Sequence, residues 1–156
     1  TFVVPEGYVT KESMRIMGLD DPAKKMSKSA SSEYNYIGIL DEPETIRKKI
    51  MKAVTDSGKE IKYEDSKPAL RNLINIYCAF SGKSPKVVEK EYCSKGYSDF
   101  KKGLAEVVIA GLKPVQEKYA KLSDQKVIDI LNKGARKAGV IASAKMSEVR
   151  NRIGLT

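Results

Sequence analysis

The stretch PALRNLINIYCAFSG, residues 68–82, indicates the fold class of this 156-residue chain. Pro68 suits the first turn of a helix, because a proline there gives up an amide hydrogen that the helix would not use. Gly82 suits the position just beyond a helix end. Apolar side chains between them recur at the spacing of one helical face and form the expected buried face: Leu70, Leu73, Ile74, Tyr77 and Phe80.

A shorter helix is predicted on each side of this stretch. Upstream, Pro43 begins a helix that we expect to continue until Gly58. Downstream, Ser84 and Pro85 begin a short helix. The apolar faces are Ile46, Ile50 and Val54 in the first of these helices, and Val87, Val88 and Tyr92 in the second.

Two long helices are predicted in the last third of the chain. Ser98 caps the first, and Pro114 falls inside its pattern, so we expect a kink near Ala110. Ser123 caps the second, which should run to about Ile153. The side chains expected to point inward are Phe100, Leu104, Val107, Val108, Leu112, Val115 and Tyr119, followed by Val127, Ile128, Leu131, Ala135, Ala138, Ala142, Met146 and Val149. The 3.6-residue period from residue 43 onward predicts an all-α fold, a helical bundle.

Composition is typical of a folded domain with a core of its own. The chain is 41% hydrophobic and 31% charged, and no apolar run is long enough to cross a bilayer. Cys78 and Cys93 are too few and too far apart for a disulfide framework, which suits a reducing compartment. The chain has no histidine, which excludes imidazole bases, Ser-His-Asp triads and most zinc sites.

The positive charge is concentrated in the helical part. Residues 1–60 hold ten Lys or Arg and ten Asp or Glu, whereas residues 61–156 hold 19 basic and ten acidic residues, so the whole excess of +9 lies there. In the last helix, Lys126, Lys133 and Lys137 form one strip, with Arg136 beside it. Such a strip suits contacts to the phosphates of a polyanion, although a solvated basic face is an equally ordinary interpretation.

Residues 20–35 are rich in Asp, Pro, Lys and Ser and predict a loop, followed at 36–40 by a short strand or a buried connector. Inside this loop lies the run Lys25-Met26-Ser27-Lys28-Ser29. It places two ammonium groups three residues apart beside hydroxyl and amide donors, an arrangement that can close on a polyphosphate. From composition alone, a solvated surface loop remains the commoner alternative.

The order of segments around this run carries a resemblance to a known family. KMSKS at 25–29 matches the second signature of class I aminoacyl-tRNA synthetases letter for letter. The flanking segments, in order, are RIM (15–17), LDEP (40–43), IRKKI (46–50), AVTDS (53–57), NLINIY (72–77) and KPVQEKY (113–119). Taken together, the chain resembles bacterial tryptophanyl-tRNA synthetases over essentially its whole length.

The resemblance implies roles for the loop residues. In this family the loop closes over ATP while the tryptophan carboxylate attacks the α-phosphorus. Lys25 and Lys28 would be the catalytic residues that stabilise charge on the phosphates. The implied ATP-binding set is Ile16, Met17, Lys25, Met26, Ser27, Lys28 and Ser29. Ile16 would pack against the adenine, with plain core packing as the alternative for Ile16 and Met17. Ala30 departs from the family pattern, in which a polar or charged residue is common at that position.

The resemblance also implies an organisation. Residues 1–35 would be an irregular remnant of a nucleotide-binding α/β domain, and residues 36–156 a helical tRNA anticodon-binding domain. The parent enzyme would be a cytoplasmic homodimer that uses ATP, Mg²⁺, tryptophan and tRNA(Trp), without protein metal ligands in this part and without a membrane partner. Lys126, Lys133, Arg136 and Lys137 are the candidate tRNA contacts.

Several features suggest that the sequence is a fragment. The family's first signature, a histidine pair, is missing, and the chain opens directly on the apolar residues 2–4. We therefore expect no amino-acid activation by the isolated chain, disorder or fortuitous packing of residues 2–4, and possible monomeric behaviour. The alternatives are a stand-alone basic helical RNA-binding module without a catalytic role, and a plain helical scaffold.

Overall fold

The computed structural model describes residues 2–8 and 15–155, and its regular structure there is helical. Residues 9–14 of the predicted nucleotide-binding remnant, 1–35, lie outside the described residues. A short 3-10 helix at Glu33–Asn35 precedes five α-helices: α1 (Pro43–Lys52), α2 (Pro68–Ser81), α3 (Pro85–Tyr92), α4 (Tyr97–Ala120) and α5 (Asp124–Arg152). The predicted all-α class is confirmed. Residues 36–40 form a connector with a turn at Ile39 and Leu40, which are exposed, so neither the short strand nor the buried connector that we predicted is present.

The chain divides into two compact units, Val9–Glu117 and Thr1–Tyr8 with Lys118–Thr156. The larger unit contains α1, α2, α3 and most of α4 around one apolar core. The fully buried members are, among others, Ile46, Ile50, Leu70, Leu73, Ile74, Val88, Phe100, Leu104 and Val108. Most of them were predicted from helical spacing. Phe80, Val87, Val115 and Tyr119 were predicted to point inward as well, but they are exposed.

Three aromatic rings from α2, α3 and α4 meet at the centre of this core. The centroids of Tyr77, Tyr92 and Phe100 are 5.3–6.1 Å apart, and Tyr92 meets both of the other rings edge-on. Gly103 makes this close approach of α3 to α4 possible, because a β-carbon there would lie 1.9 Å from the Tyr92 hydroxyl oxygen. Burial raises the pKa of Tyr92 to about 12.

Local signals predict most helix ends, except the end of α1 and the start of α4, where Ser98, which we predicted as the cap, lies inside a helix that begins at Tyr97. Gly82 ends α2 with φ of 70°, a left-handed conformation that glycine adopts without strain, and Ser123 caps α5 by accepting the Lys126 amide. The first helix stops at Lys52 rather than continuing to Gly58, so the prediction of its end was wrong. Val54 lies beyond the helix, and its amide donates to the Leu19 carbonyl at 2.7 Å. Tertiary pairing thus ended the periodic run. α4 continues through Pro114, and the predicted kink stays a prediction.

Two lysines of the larger unit are buried and carry local structure. Lys101 of α4 donates to the carbonyl oxygens of Met51 and Ala53 at 3.3 and 2.7 Å, so it satisfies acceptors that the end of α1 leaves without helical partners. Burial lowers the pKa of Lys101. Lys49 donates to Asp41 at 2.6 Å and lies over the ring of Tyr36. Both ammonium groups therefore stabilise the fold.

The smaller unit differs from the larger one in burial, because its long helix α5 has no buried residue. The predicted inward stripe from Val127 to Val149 is exposed or half-exposed, and Leu131 keeps 65% of its surface open to solvent. That prediction was wrong for this structure. Within the described part of this unit, only residues 2–8, 118–123 and 153–155 accompany α5, and they include no helix long enough to cover its apolar face.

None of the helices in the described ranges combines the length and apolarity that crossing a bilayer requires. Residues 2–4, which we expected to be disordered or fortuitously packed, have no regular secondary structure and are exposed, so the packing alternative is wrong and the disorder stays a prediction.

Candidate functional site

The lysine loop, residues 25–29, begins at a short antiparallel backbone pairing. Met17 and Lys25 form an isolated bridge. On either side of it, the Met26 amide donates to the Ile16 carbonyl at 3.0 Å and the Gly18 amide donates to the Lys24 carbonyl at 2.9 Å. A turn at residues 21–24 connects the two arms, with the Lys24 amide donating to the Asp21 carbonyl at 3.2 Å. The predicted loop at 20–35 is confirmed, and its first arm has a defined backbone register.

The tip of the lysine loop is a tight turn. The Ala30 amide donates to the Ser27 carbonyl, and the Ser29 amide to the Ser27 hydroxyl, both at 3.2 Å. The Ser27 amide donates to Oδ1 of Asn35 at 3.0 Å. Serines suit this position because their hydroxyls accept from amides two residues further on. Side chains on either side of the turn therefore project from a hydrogen-bonded backbone.

Lys25 and Lys28 are exposed at this turn. Within residues 2–8 and 15–155, neither ammonium lies within 4 Å of a carboxylate, whereas the neighbouring Lys24 is 3.2 Å from Asp21. Two cations without local counterions, held three residues apart, create a positive surface that suits a polyanion. The structure thus places both predicted catalytic residues together at the solvent.

The apolar members of the predicted site lie beneath this turn. Ile16 and Met26 are half-buried and pack against the core of the larger unit. They line an apolar cavity of about 230 Å³ together with Ile37, Ile39, Ile76, Ala79, Phe80, Val108 and Leu112. The alternative of core packing for Ile16 agrees with this position, and contact with adenine stays a prediction. Met17 is half-buried in the bridge.

A more open groove shares Met26, Ile37 and Ile39 with this cavity. It has a volume of about 610 Å³ and is lined by Met26, Lys28 and residues 36–41. Lys28 is therefore at the rim of a space that a ligand can enter from solvent. No group of three or more Asp, Glu or Cys side chains within the described ranges could hold a metal ion.

Two buried asparagines next to the loop were missed by the sequence analysis. Asn72 of α2 keeps only 4% of its surface exposed, and its amide makes two hydrogen bonds to the backbone of Met17. Asn35 is 5% exposed and lies between Ser27 and Asp20. Helical spacing gave no signal for Asn72, because it lies away from the predicted apolar face of α2 and is buried there all the same.

The predicted tRNA contacts lie elsewhere in the chain, in the smaller unit. Lys126, Lys133, Arg136 and Lys137 are all exposed on α5, and within the described ranges none of them has a carboxylate within 4 Å. By contrast, Lys145 and Arg152 of the same helix pair with Glu148 at 2.5 and 2.8 Å. With seven basic and three acidic residues, α5 carries a net charge of +4.

This combination of a cationic KMSKS turn and a helical bundle agrees with the comparison to known families. The family model described as tRNA synthetases class I (W and Y) matches residues 1–113, so the chain belongs to that family. Among curated relatives, the tryptophan–tRNA ligase of Clostridium perfringens is 49% identical over 157 residues, and that of Helicobacter pylori J99 is 47% identical over 154. The resemblance predicted from the sequence is confirmed.

Solved structures agree with the fold. Tryptophanyl-tRNA synthetase from Mycoplasma pneumoniae matches 94% of this chain with a TM-score of 0.85 and 29% identity. The Campylobacter jejuni enzyme, complexed with ADP and tryptophan, matches 97% with a TM-score of 0.67 and 34% identity. This chain spans about half the length of its relatives: 47% of each of the two curated ligases, and 45% and 47% of the two structures.

Proposed function

We propose that this chain is the C-terminal half of a tryptophan–tRNA ligase and supplies its ATP-closing loop and its tRNA-binding helices. Residues 1–35 would complete the catalytic domain, and residues 36–156 would form the anticodon-binding domain. The whole enzyme would act in the cytoplasm as a homodimer with ATP, Mg²⁺, tryptophan and tRNA(Trp). The carrying observation is the pair of exposed lysines, Lys25 and Lys28, without carboxylate partners in the described chain of a class I family member.

The chemistry assigned to the loop is electrostatic. A carboxylate oxygen of tryptophan bonds to the α-phosphorus of ATP, the bond to the bridging oxygen breaks, and pyrophosphate leaves with the electron pair. Negative charge grows on the leaving phosphates, and the Lys25 and Lys28 ammonium groups would offset it. Ile16, Met17, Met26, Ser27 and Ser29 would line the nucleotide side of the loop.

The test of this role is tryptophan-dependent ATP–pyrophosphate exchange by the full-length protein. Lys28→Ala and Lys25→Ala should each lower kcat by about 10²–10³-fold, as removing one preorganised charge or donor does, with tryptophan binding unchanged. Lys102→Ala is the matched control, because Lys102 is an exposed lysine of α4 already 3.6 Å from Asp99. Unchanged kcat in both loop variants would contradict the proposal.

The isolated chain should catalyse no exchange. Lysines that stabilise a leaving group cannot act without groups that hold the amino acid and adenosine in line. Measurable tryptophan-dependent exchange by residues 1–156 alone would show that a complete site is present and that the division of labour proposed above is wrong.

For RNA, we propose that Lys126, Lys133, Arg136 and Lys137 contact tRNA phosphates. Alanine at each should weaken binding of tRNA(Trp) and lower the slope of log affinity against log salt by about one per lost phosphate contact. Lys145→Ala and Arg152→Ala are the controls on the same helix, since both side chains pair with Glu148. Equal effects of all six substitutions would contradict a specific strip. Binding of tRNA without exchange activity by the full-length protein would favour the stand-alone RNA-binding alternative.

A further inference from the structure

Asn72 ties the base of the lysine loop to the helical core. Its Oδ1 accepts the Met17 amide at 2.8 Å and its Nδ2 donates to the Met17 carbonyl at 2.9 Å, although the two residues are 55 positions apart. This side chain therefore pairs with Met17 as a neighbouring strand would, on the backbone that bridges to Lys25. Its neighbours in α2, Leu73 and Ile74, are fully buried. The base of the lysine loop is therefore anchored to a well-packed part of that helix.

Asn35 ties the tip of the loop in the same way. Its Nδ2 donates to the Asp20 carboxylate at 2.6 Å, and its Oδ1 accepts the Ser27 amide at 3.0 Å. A carboxylate only accepts hydrogen bonds, which fixes the orientation of the amide and leaves Oδ1 for Ser27. The bond from Asn35 also lowers the pKa of Asp20, so Asp20 stays ionised and keeps the amide in place.

Gly18 shows how closely Asn35 is fitted. A β-carbon at position 18 would lie 2.2 Å from Nδ2 of Asn35, so the amide occupies the space that any other residue would fill. The Leu19 amide donates to the Asn35 carbonyl at 3.0 Å, which holds the backbone of Asn35 against the same segment. Asn35 therefore bonds the lysine loop through Oδ1, and bonds Leu19 and Asp20 through its carbonyl and Nδ2.

We propose that Asn35 and Asn72 are positioning residues that hold residues 25–29 in the conformation from which Lys25 and Lys28 meet the triphosphate. This inference rests on the proposed function. The Ser27 amide is already bonded to Asn35, so it is not among the donors that the loop would offer to a phosphate. Preorganisation of this kind acts on the transition state more than on the binding of the other substrate.

The hydrogen bonds between Asn35 and Ser27 and between Asn72 and Met17 together form what we call the brace. The first experiment measures these bonds on the chain of 156 residues, independently of any activity. Asn35→Ala should speed amide hydrogen exchange at Ser27 by at least tenfold, and Asn72→Ala should do the same at Met17. The control is Asn75→Ala: Asn75 also lies on α2 and accepts a hydrogen bond, from the Tyr63 hydroxyl at 2.8 Å, but within the described residues it makes no hydrogen bond to the lysine loop. Unchanged exchange at Ser27 and Met17 would overturn the proposal.

The second experiment measures ATP–pyrophosphate exchange in the full-length protein. Asn35→Ala and Gly18→Ala should lower kcat or raise the KM for ATP by ten- to a hundredfold, while the KM for tryptophan and the binding of tRNA stay within twofold. A purely structural role would instead impair all substrates together and would overturn the proposal, as would no change at all. If Asn72→Ala does not fold, Asn35→Ala decides alone, because Asn35 lies outside the five α-helices.

The two proposals fail in different ways. A wild-type full-length protein without tryptophan-dependent exchange would refute the proposed function, while the amide-exchange result would still report on the brace. An active wild-type enzyme whose Asn35 and Gly18 variants remain fully active would refute the brace as a positioning device and leave the proposed function intact.

Discussion

Helices α2 and α5 have the same kind of sequence pattern and opposite surroundings. In α2 the apolar residues Leu73 and Ile74 are buried to within about one per cent of their surface. In α5 the equivalent stripe includes Leu131, which is 65% exposed, and no residue of the helix is buried. Periodicity reports which face of a helix is apolar, because spacing along a helix is a local property. It does not report whether another element covers that face.

Burial also distinguishes two kinds of lysine in the larger unit. Lys49 and Lys101 lie in the packed unit and satisfy Asp41 and the end of α1. Lys25 and Lys28, at the surface of the same unit, have no carboxylate partner in the described chain. A buried lysine without partners is costly, whereas an exposed one is free to meet a ligand. The amino-acid composition alone does not distinguish these four lysines.

Truncating one leucine in each helix should give the largest difference in stability between α2 and α5. Leu73→Ala should lower the free energy of unfolding by about 2–5 kcal/mol, because it opens a cavity in a closed core. Leu131→Ala should change it by less than about 0.5 kcal/mol, as exposed substitutions do. Urea denaturation followed by tyrosine fluorescence and circular dichroism checks both. A comparable loss from Leu131→Ala would show that the apolar face of α5 is covered in solution.

Substitutions at two glycines test the same difference in packing between the larger unit and α5. Gly103→Ala should cost about 1–3 kcal/mol, because the added methyl would meet the Tyr92 hydroxyl. Adding Tyr92→Phe to that variant should recover part of the loss by removing the hydroxyl. Gly139→Ala in α5 should instead stabilise the helix by about 0.5–1 kcal/mol, since nothing lies within 4 Å of its β-position. Thermal unfolding measured by circular dichroism compares the three, and a stabilised Gly103→Ala chain would contradict the packing described here.

Alkaline pH offers a smaller, reversible perturbation of the packed unit. The folded pKa of Tyr92 is raised to about 12, whereas an unfolded tyrosine ionises near pH 10, so the neutral ring stabilises the fold below pH 10. This contribution is lost as the pH rises from 10 to 12, at a slope of about 1.4 kcal/mol per pH unit. Urea midpoints between pH 9 and 11 should fall, and Tyr92→Phe should flatten the decline. An equal decline in that variant would mean that other groups cause it.

At the lysine loop, the sequence predicted only part of the candidate site. KMSKS predicted an exposed cationic turn, and the structure has one, because serines and lysines in a short polar segment favour a solvated turn. Asn35 and Asn72 were not predicted as part of the site. Their roles depend on contacts across 8 and 55 residues, and a pattern search along the chain does not see such distances.

Local patterns along the chain were enough to predict the helical class, the five α-helices of the described residues, the start of each of them except α4, and the family. These depend on local propensity, on capping residues and on motifs in a fixed order, all of which are written along the chain. Only the tertiary structure decided where α1 ends, which apolar faces are covered, and which amides hold the lysine loop. Those outcomes depend on what segments distant in the chain offer one another, since burial and hydrogen bonding are properties of neighbours in space.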